Sequence, residues 1–210
     1  IPAGKNVKKA LTLDEIQKIF DYQPVTEPEA RARDLFVFSY LCKGINMKDI
    51  AKLRYHNIDN GKITFIRAKT ERTSKKNLKP IVAVLTDEAK QIIERWGNKP
   101  AEPDTLIFDI ITDGLDPVKE VNRIKQGVKT INKYLKRIAE NVGIEKNIST
   151  YTARHSYSTV LKRSGVSVEY ISEALGHSDI RITENYLDGF ESETDIEYSK
   201  FLTNFKKKDE

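Results

Sequence analysis

The chain has 210 residues, 39% of them hydrophobic, which is enough for one sizeable domain and excludes a disordered chain. Its 36 lysines and arginines outnumber its 31 acidic residues, and the net charge of +5 suits a polyanionic partner. The single cysteine, Cys42, excludes a disulfide, and its apolar neighbours predict a buried, inert thiol. With three histidines and no grouped ligands, we expect no metal and no cofactor. No apolar run approaches the ~18 residues of a membrane span, so we expect no membrane partner.

The first half of the sequence predicts helices followed by a small sheet. Thr12 and Glu15 form a capping-box pattern that starts one helix, and Pro28 suits the first turn of a second, which stops at Gly44. A short helix follows, with an apolar face made by Met47, Ile50 and Leu53. Two strand-like stretches within 62–84 flank a polar segment, KTERTSKKN, which predicts an antiparallel hairpin or small sheet.

The second half predicts more helices. Thr86 caps a helix that ends at Gly97. A long amphipathic helix precedes Gly143, with apolar residues at Val118, Val121, Ile124, Val128, Ile131, Leu135, Ile138 and Val142. The last apolar residues also have helical spacing, at Tyr198, Phe201, Leu202 and Phe205. We therefore predict an α+β fold that is mostly helical and contains one small antiparallel sheet.

The segment from Tyr151 to Tyr186 carries the polar residues with the clearest chemical meaning. Arg154 opens a run that ends at Gly165, and His177 directly follows a glycine that ends a second short helix. Tyr186 comes nine residues later, near the end of a third segment. These helix ends would bring together a guanidinium that can bind phosphate bidentately, an imidazole that exchanges protons near neutral pH, and a phenol that can attack phosphorus.

This order of Arg, then Leu-Gly-His, then Tyr resembles the tyrosine recombinase (phage integrase) family, over about residues 12–190. The resemblance implies the fold of that family's catalytic domain and a site-specific recombinase that cuts and rejoins DNA to integrate or excise a mobile element. It implies that Tyr186 is the nucleophile that forms a 3′-phosphotyrosyl bond. Arg154 would then clamp the phosphate and His177 would hydrogen-bond it. The family's reaction consumes no metal or nucleotide.

A lysine in the predicted hairpin completes the set that the resemblance implies. Lys69 directly follows the first predicted strand and matches the family's general acid, which protonates the leaving 5′-oxygen. Lys75 and Lys76 share that loop, and a basic loop is most often a solvated turn. His155, next to Arg154, corresponds to a family position that packs beneath the site, so we interpret it as supporting structure.

Two positions depart from the family pattern. The family's first catalytic arginine follows Gly-Leu, but here that position is occupied by Asn46, a residue typical of a helix N-cap. Losing one charged donor typically costs about 10²–10³ in rate, so we expect a substitute cation, with Arg33 favoured and Arg54 second. Tyr151 stands where the family has a histidine three residues before Arg154, and its phenol can donate a hydrogen bond to phosphate. Both departures resemble mobile-element integrases of Bacteroidetes.

The resemblance also implies a domain plan and partners. We expect a linker from a missing N-terminal core-binding domain at 1–11, the catalytic domain at 12–190, and a helical tail at 191–210 that docks on a neighbouring protomer. The expected partners are double-stranded DNA, other protomers in a tetramer on DNA, and accessory DNA-bending proteins, in the bacterial cytoplasm. Two alternatives stay open. One is a degenerate relative that binds DNA without chemistry, and the other is a type IB topoisomerase that relaxes supercoils.

Overall fold

The computed structural model describes residues 10–69, 79–177 and 179–184. These residues form eight α-helices and three β-strands. Their order is α1 (Leu13–Asp21), α2 (Glu27–Leu41), α3 (Met47–Ile50), β1 (Ile58–Asp59), β2 (Lys62–Phe65), β3 (Ile81–Val84), α4 (Asp87–Trp96), α5 (Pro117–Asn141), α6 (Thr150–Arg163), α7 (Val168–Ala174) and α8 (Ile180–Glu184). The prediction of a mostly helical α+β fold is confirmed.

Helix starts lie where capping residues predicted them. The Thr12 amide donates to Glu15 Oε2 over 2.7 Å, and the Glu15 amide donates to Thr12 Oγ1 over 3.2 Å, which completes the predicted capping box of α1. Thr86 caps α4 by accepting a hydrogen bond from the Ala89 amide. The long helix also ends where the sequence predicted. Gly143, just beyond α5, has a positive φ of 70°, the left-handed conformation that commonly ends a helix.

Helix α2 is the centre of the hydrophobic core. Four consecutive residues, Leu35, Phe36, Val37 and Phe38, are all buried, so this helix is covered on several sides rather than along one stripe. It packs against α4, α5 and α6, and the Phe38 ring meets the Phe108 ring edge-on at 5.2 Å. Cys42 follows α2 and is fully buried, and burial raises the pKa of its thiol to about 12, as expected of an inert cysteine.

The small sheet places the end of β2 beside the signature helices. Its strand order is β1-β2-β3, and both pairs are antiparallel, with Phe65 opposite Ile81 at the far end of the β2-β3 pair. The predicted hairpin is therefore confirmed, whereas β1 has only two residues and left no periodic signal in the sequence. Helix α7 packs on β3, so the chain that leaves β2 enters the region around Gly176.

No helix among the described residues has the length and apolar composition needed to cross a membrane. The same residues contain no group of three or more His, Cys, Asp and Glu side chains arranged to hold a metal ion.

Candidate active site

Arg154 lies at the centre of the site. Helix α6 begins at Thr150, one turn earlier than the sequence run suggested, and the Arg154 side chain is only 2% exposed. Its Nη1 donates to the Gly44 carbonyl oxygen over 3.1 Å, and its Nη2 donates to the Leu175 carbonyl oxygen over 2.6 Å. These bonds come from the turn after α2 and from the end of α7, so three parts of the chain fix the direction of one guanidinium.

Gly44 allows this close approach. Its φ is +65°, and an added Cβ would lie 2.8 Å from Arg154 Cα and 2.9 Å from Arg154 Cγ. A larger residue here would therefore be strained in its backbone and would also displace the arginine. Gly44 therefore permits both the turn that follows α2 and the close packing of Arg154 against that turn.

His177 follows α7 and contacts Arg154 directly. Its Nε2 lies 3.2 Å from Arg154 Nη2, and its Nδ1 lies 2.8 Å from Thr183 Oγ1. A guanidinium can only donate, so Nε2 acts as the acceptor. The proton of the neutral ring is then on Nδ1, which donates to the buried Thr183 hydroxyl oxygen. Thr183 thus fixes the tautomer and the orientation of the imidazole.

Nearby cations and burial keep this imidazole neutral. Desolvation by burial is the largest cause, followed by the charges of Arg154, Arg67 and Lys69, and together they lower the pKa of His177 to about 4. At pH 7 the ring is therefore uncharged and offers a lone pair at Nε2. The positive charges around the ring favour binding of an anion, which would reduce the repulsion among them.

Arg67 joins this cluster, although sequence reasoning missed it. It lies just beyond β2, and its Nη1 donates to the carbonyl oxygens of Leu175 and Gly176 over 3.1 and 3.2 Å. Its only mark in the sequence is its place two residues before Lys69. Its partners are more than a hundred positions away in the chain, so no local pattern could identify them.

The neutral position Asn46 is joined to this region through Asp49. Asn46 stands at the N-cap of α3, as predicted, but its side chain makes no capping hydrogen bond. Its carbonyl oxygen accepts from the Asp49 amide over 2.9 Å, and the Asp49 carboxylate accepts from the Ala68 amide over 2.8 Å. Burial raises the pKa of Asp49, while the charge of Arg67 is among the effects that oppose that rise.

Lys69 is exposed at the edge of the same cluster, and its charge contributes to the lowered pKa of His177. The structure therefore brings Lys69, Arg154 and His177 together. Tyr186 lies outside the described residues, as do Lys75, Lys76 and the predicted tail helix at 191–210.

Tyr151 and His155 form a pair one helical turn apart on α6. Their rings meet edge-on with centroids 4.7 Å apart, and the histidine is 4% exposed whereas the tyrosine is 48% exposed. The buried position of His155 suits a supporting role. Tyr151 lies in the first turn of the helix that carries Arg154, and its ring packs on the His155 ring.

The two arginines predicted to replace the missing cation are held by other groups. Arg33 donates to Asp34 and to the Tyr22 carbonyl oxygen over 2.7 Å, on the side of α2 that faces α1 and α4. Arg54 forms an ion pair with Asp113. The expectation that Arg33 or Arg54 supplies the missing charge stays a prediction, and in the free protein each guanidinium is paired with an acidic residue.

Curated relatives are similar to most of this chain. Tyrosine recombinase XerA of Thermococcus onnurineus is 26% identical over 183 residues, which cover 87% of this chain and 58% of that protein. Tyrosine recombinase XerD of Listeria innocua is 26% identical over 187 residues, 87% of this chain and 59% of that protein. The chain thus spans a little under three-fifths of the length of these relatives.

Solved structures share the fold. XerH site-specific recombinase in a post-cleavage complex with its palindromic difH substrate has a TM-score of 0.63 at 16% identity, covering 93% of this chain and 53% of that one. The Tn1549 transposon integrase in complex with circular intermediate DNA has a TM-score of 0.60 at 17% identity, covering 96% and 68%. The model of the phage integrase family matches residues 9–193, nearly the whole chain, and this protein therefore belongs to the phage integrase family.

Proposed function

We propose that this chain is the catalytic domain of a site-specific DNA recombinase that cleaves and rejoins double-stranded DNA to integrate or excise a mobile element. The observation that carries the proposal is the contact between buried Arg154 and neutral His177, with Lys69 beside them. Such a site favours a phosphodiester, whose negative charge grows in the transition state of cleavage.

The proposed reaction conserves the phosphodiester. The Tyr186 oxygen attacks phosphorus, a new bond forms from that oxygen to phosphorus, and the bond from phosphorus to the 5′-oxygen breaks. The phenol loses its proton and the departing 5′-oxygen gains one, which Lys69 supplies. The product is a 3′-phosphotyrosyl bond and a free 5′-hydroxyl, and attack by a 5′-hydroxyl from another strand reverses the step. No metal or nucleotide is required.

Arg154 and His177 have distinct tasks in this scheme. The guanidinium binds the non-bridging oxygens and neutralises the charge that grows on them. Once Arg154 Nη2 donates to the phosphate instead of to His177, the Nε2 lone pair takes the phenol proton, because the incoming phosphate offsets the surrounding positive charge and makes the ring more basic. The resulting imidazolium then donates a hydrogen bond from its Nε2–H to the phosphate, while its Nδ1–H stays bonded to Thr183.

The finer identity of the protein is also part of the proposal. Asn46 at the first arginine position and Tyr151 before Arg154 support a place among mobile-element integrases of the Bacteroidetes type. In this plan 1–11 is a linker from an N-terminal core-binding domain, 12–190 is the catalytic domain, and 191–210 is a tail that docks on a neighbouring protomer. The protein acts in the bacterial cytoplasm as a tetramer on DNA, with Tyr151 donating a hydrogen bond to the phosphate.

One observation favours a second function. Neutral Asn46 removes a cation that the family normally uses, as expected of a relative that binds DNA but does not cut it. The convergence of Arg154, His177 and Lys69 supports the active enzyme over this alternative. A type IB topoisomerase would share the cleavage chemistry but would not exchange strands.

A trapping experiment tests the proposed function. The chain is incubated with a pool of nicked duplexes whose sequence is randomised around the nick, so that cleavage releases a short fragment and traps the covalent complex. We expect a protein–DNA adduct from the parent chain and none from Tyr186→Phe, although both bind the recovered duplex equally well. An adduct that survives Tyr186→Phe, or no adduct from the parent, would contradict the proposal. Exchange of strands between two recovered duplexes separates a recombinase from a topoisomerase.

A further inference from the structure

We propose that Arg67 is a catalytic residue of this site and supplies the positive charge that Asn46 does not. Its guanidinium would bind a non-bridging oxygen of the scissile phosphate together with Arg154. The inference rests on the proposed function, since it assigns a role in the same cleavage step.

The two guanidiniums share one acceptor. Arg67 Nη1 and Arg154 Nη2 both donate to the carbonyl oxygen of Leu175, over 3.1 and 2.6 Å. Two donors that meet at one oxygen are close enough to bind one phosphate group together. The shared carbonyl lies two residues before His177, so both arginines are bonded to the turn that carries the imidazole.

Gly176 makes room for Arg67 in this turn. An added Cβ at Gly176 would lie 3.0 Å from Arg67 Cδ and 2.7 Å from Ile81 Cδ1. The side chain of Arg67 therefore lies directly against the backbone that leads into His177. Its bonds to two consecutive carbonyls hold the planar guanidinium in one orientation, as preorganised recognition of phosphate requires.

Electrostatics places Arg67 in the reacting region rather than at its margin. Its charge lowers the pKa of His177, as do the charges of Arg154 and Lys69. Bringing several positive groups together costs free energy in a free protein, and a bound anion would offset that cost. Asp49 offsets part of it in the free protein, since its carboxylate interacts with both arginines.

The link to Asn46 explains why this arginine can replace the missing one. The Asp49 amide donates to the Asn46 carbonyl oxygen over 2.9 Å, and the Asp49 carboxylate accepts from the Ala68 amide, next to Arg67, over 2.8 Å. The position that has lost its cation and the strand end that offers one are thus joined through Asp49. Helix α3 presents a neutral side chain, and the chain leaving β2 brings the charge instead.

If Arg67 had a purely structural role, the effect of removing it on cleavage would be different. In that case the guanidinium would only fasten the Leu175–Gly176 turn, and its loss would disturb the site whatever the charge of the substrate. A role in neutralising the phosphate predicts that the loss depends on that charge. The two roles can therefore be separated by changing the DNA rather than the protein.

The experiment compares two forms of a duplex recovered from the randomised pool. One carries the natural scissile phosphodiester, and the other carries a methylphosphonate in which a methyl group replaces one charged oxygen. Adduct formation is timed for the parent chain, Arg67→Ala, Arg67→Lys and Arg31→Ala. The last is a matched control, because it removes an arginine of α2 that is paired with Asp109 and has no role in the proposed reaction.

On the phosphodiester, we expect Arg67→Ala to form the adduct about 10²–10³-fold more slowly than the parent, the typical effect of losing one preorganised donor. Arg67→Lys keeps the charge without the planar guanidinium and should fall between the two, while Arg31→Ala should match the parent. On the methylphosphonate, the difference between Arg67→Ala and the parent should shrink to about 10-fold or less, because the charge to be neutralised is gone. That recovery also demonstrates that the variant is folded.

Other outcomes have a distinct meaning. If the parent forms an adduct and Arg67→Ala forms it at the same rate, Arg67 is not the replacement. If Arg67→Ala is equally slow on both duplexes, its role is structural and the inference is overturned. If the parent forms no adduct on either duplex, the proposed function itself fails, and Arg67 has no cleavage step to serve.

Discussion

His177 Nδ1 lies 2.8 Å from Thr183 Oγ1, so one hydrogen bond joins the histidine of the site to helix α8. Thr183 is buried and stands three residues before Tyr186 in the sequence. The contact fixes the imidazole with its Nε2 towards Arg154. It also anchors the short helix from which the chain continues to the proposed nucleophile.

Removing that hydroxyl should slow cleavage. Thr183→Val keeps the branched shape but leaves the Nδ1 proton without its acceptor, a loss of about 1–3 kcal/mol for a buried group. We expect adduct formation to fall about 10-fold or more, since each 1.4 kcal/mol is a factor of ten. Thr183→Ser keeps the hydroxyl and should cleave within about 3-fold of the parent. Equal rates for the valine and serine variants would contradict a role for the hydroxyl.

The protonation of His177 can be measured directly. In an NMR titration of the free chain, which has three histidines, one imidazole should titrate at about pH 4. Arg67→Ala removes one of the repelling charges and should raise that pKa, although burial, the largest cause, will keep it below the ordinary value. Duplex DNA should raise it as well. A His177 pKa near 6.5 in the free protein would contradict the described site.

The same shift has a consequence for stability. The unfolded chain binds a proton on His177 below about pH 6.5, whereas the folded chain does so only near pH 4. His177 therefore makes the folded state less stable as the pH falls from about 6.5 to about 4. In urea unfolding across that range, His177→Asn should show a flatter pH dependence than the parent. An identical slope in both proteins would argue against the lowered pKa.

Two glycines with similar backbones should respond differently to alanine. Gly44 and Gly61 have φ values of +65° and +71°, but an added Cβ meets Arg154 at 2.8 Å only at Gly44, and nothing within 4 Å at Gly61. We expect Gly61→Ala to lower the free energy of unfolding by about 1 kcal/mol through backbone strain. Gly44→Ala should lower it by about 3 kcal/mol, because overpacking adds to the strain. Similar losses in chemical denaturation would contradict close packing of Arg154 on Gly44.

Local signals made most of the fold predictable. Thr12 with Glu15 and Thr86 mark helix starts through side-chain bonds that span three residues, and the spacing of apolar residues in α5 follows from its one buried face. The β2-β3 pair was recognisable from its β-branched residues, whereas β1 was too short to show a period. Features that depend on residues close together in the sequence could thus be predicted from it.

The site was predictable only where a family motif marks it. Arg154 and His177 belong to a spaced signature, and the structure places them 3.2 Å apart. Arg67 carries no such mark, because its place depends on how α7 packs on β3. Arg33 is the substitute that the sequence favours, because its helix leads to the Gly44 turn, and the structure shows its guanidinium bonded to Asp34 and to the Tyr22 carbonyl oxygen. Proximity in the sequence does not specify which partners a long side chain takes.

DNA binding should depend strongly on salt. A basic domain that contacts phosphates releases condensed counterions, and each contact contributes about −0.9 to the slope of log affinity against log salt. Two contacts already predict a loss of about ten-fold in affinity between about 50 and 200 mM salt. Fluorescence anisotropy with the recovered duplex measures this slope. An affinity that stays constant over that range would contradict binding through Arg154, Arg67 and Lys69.

The most direct test of the account is to locate the bond between protein and DNA. The trapped adduct is digested with protease and nuclease, and mass spectrometry identifies the peptide that keeps a nucleotide remnant. The account predicts that the remnant is attached through phosphate to the oxygen of Tyr186 and that the released DNA fragment ends in a 5′-hydroxyl. A remnant on Tyr151, on Tyr170 or on any residue other than Tyr186 would contradict it.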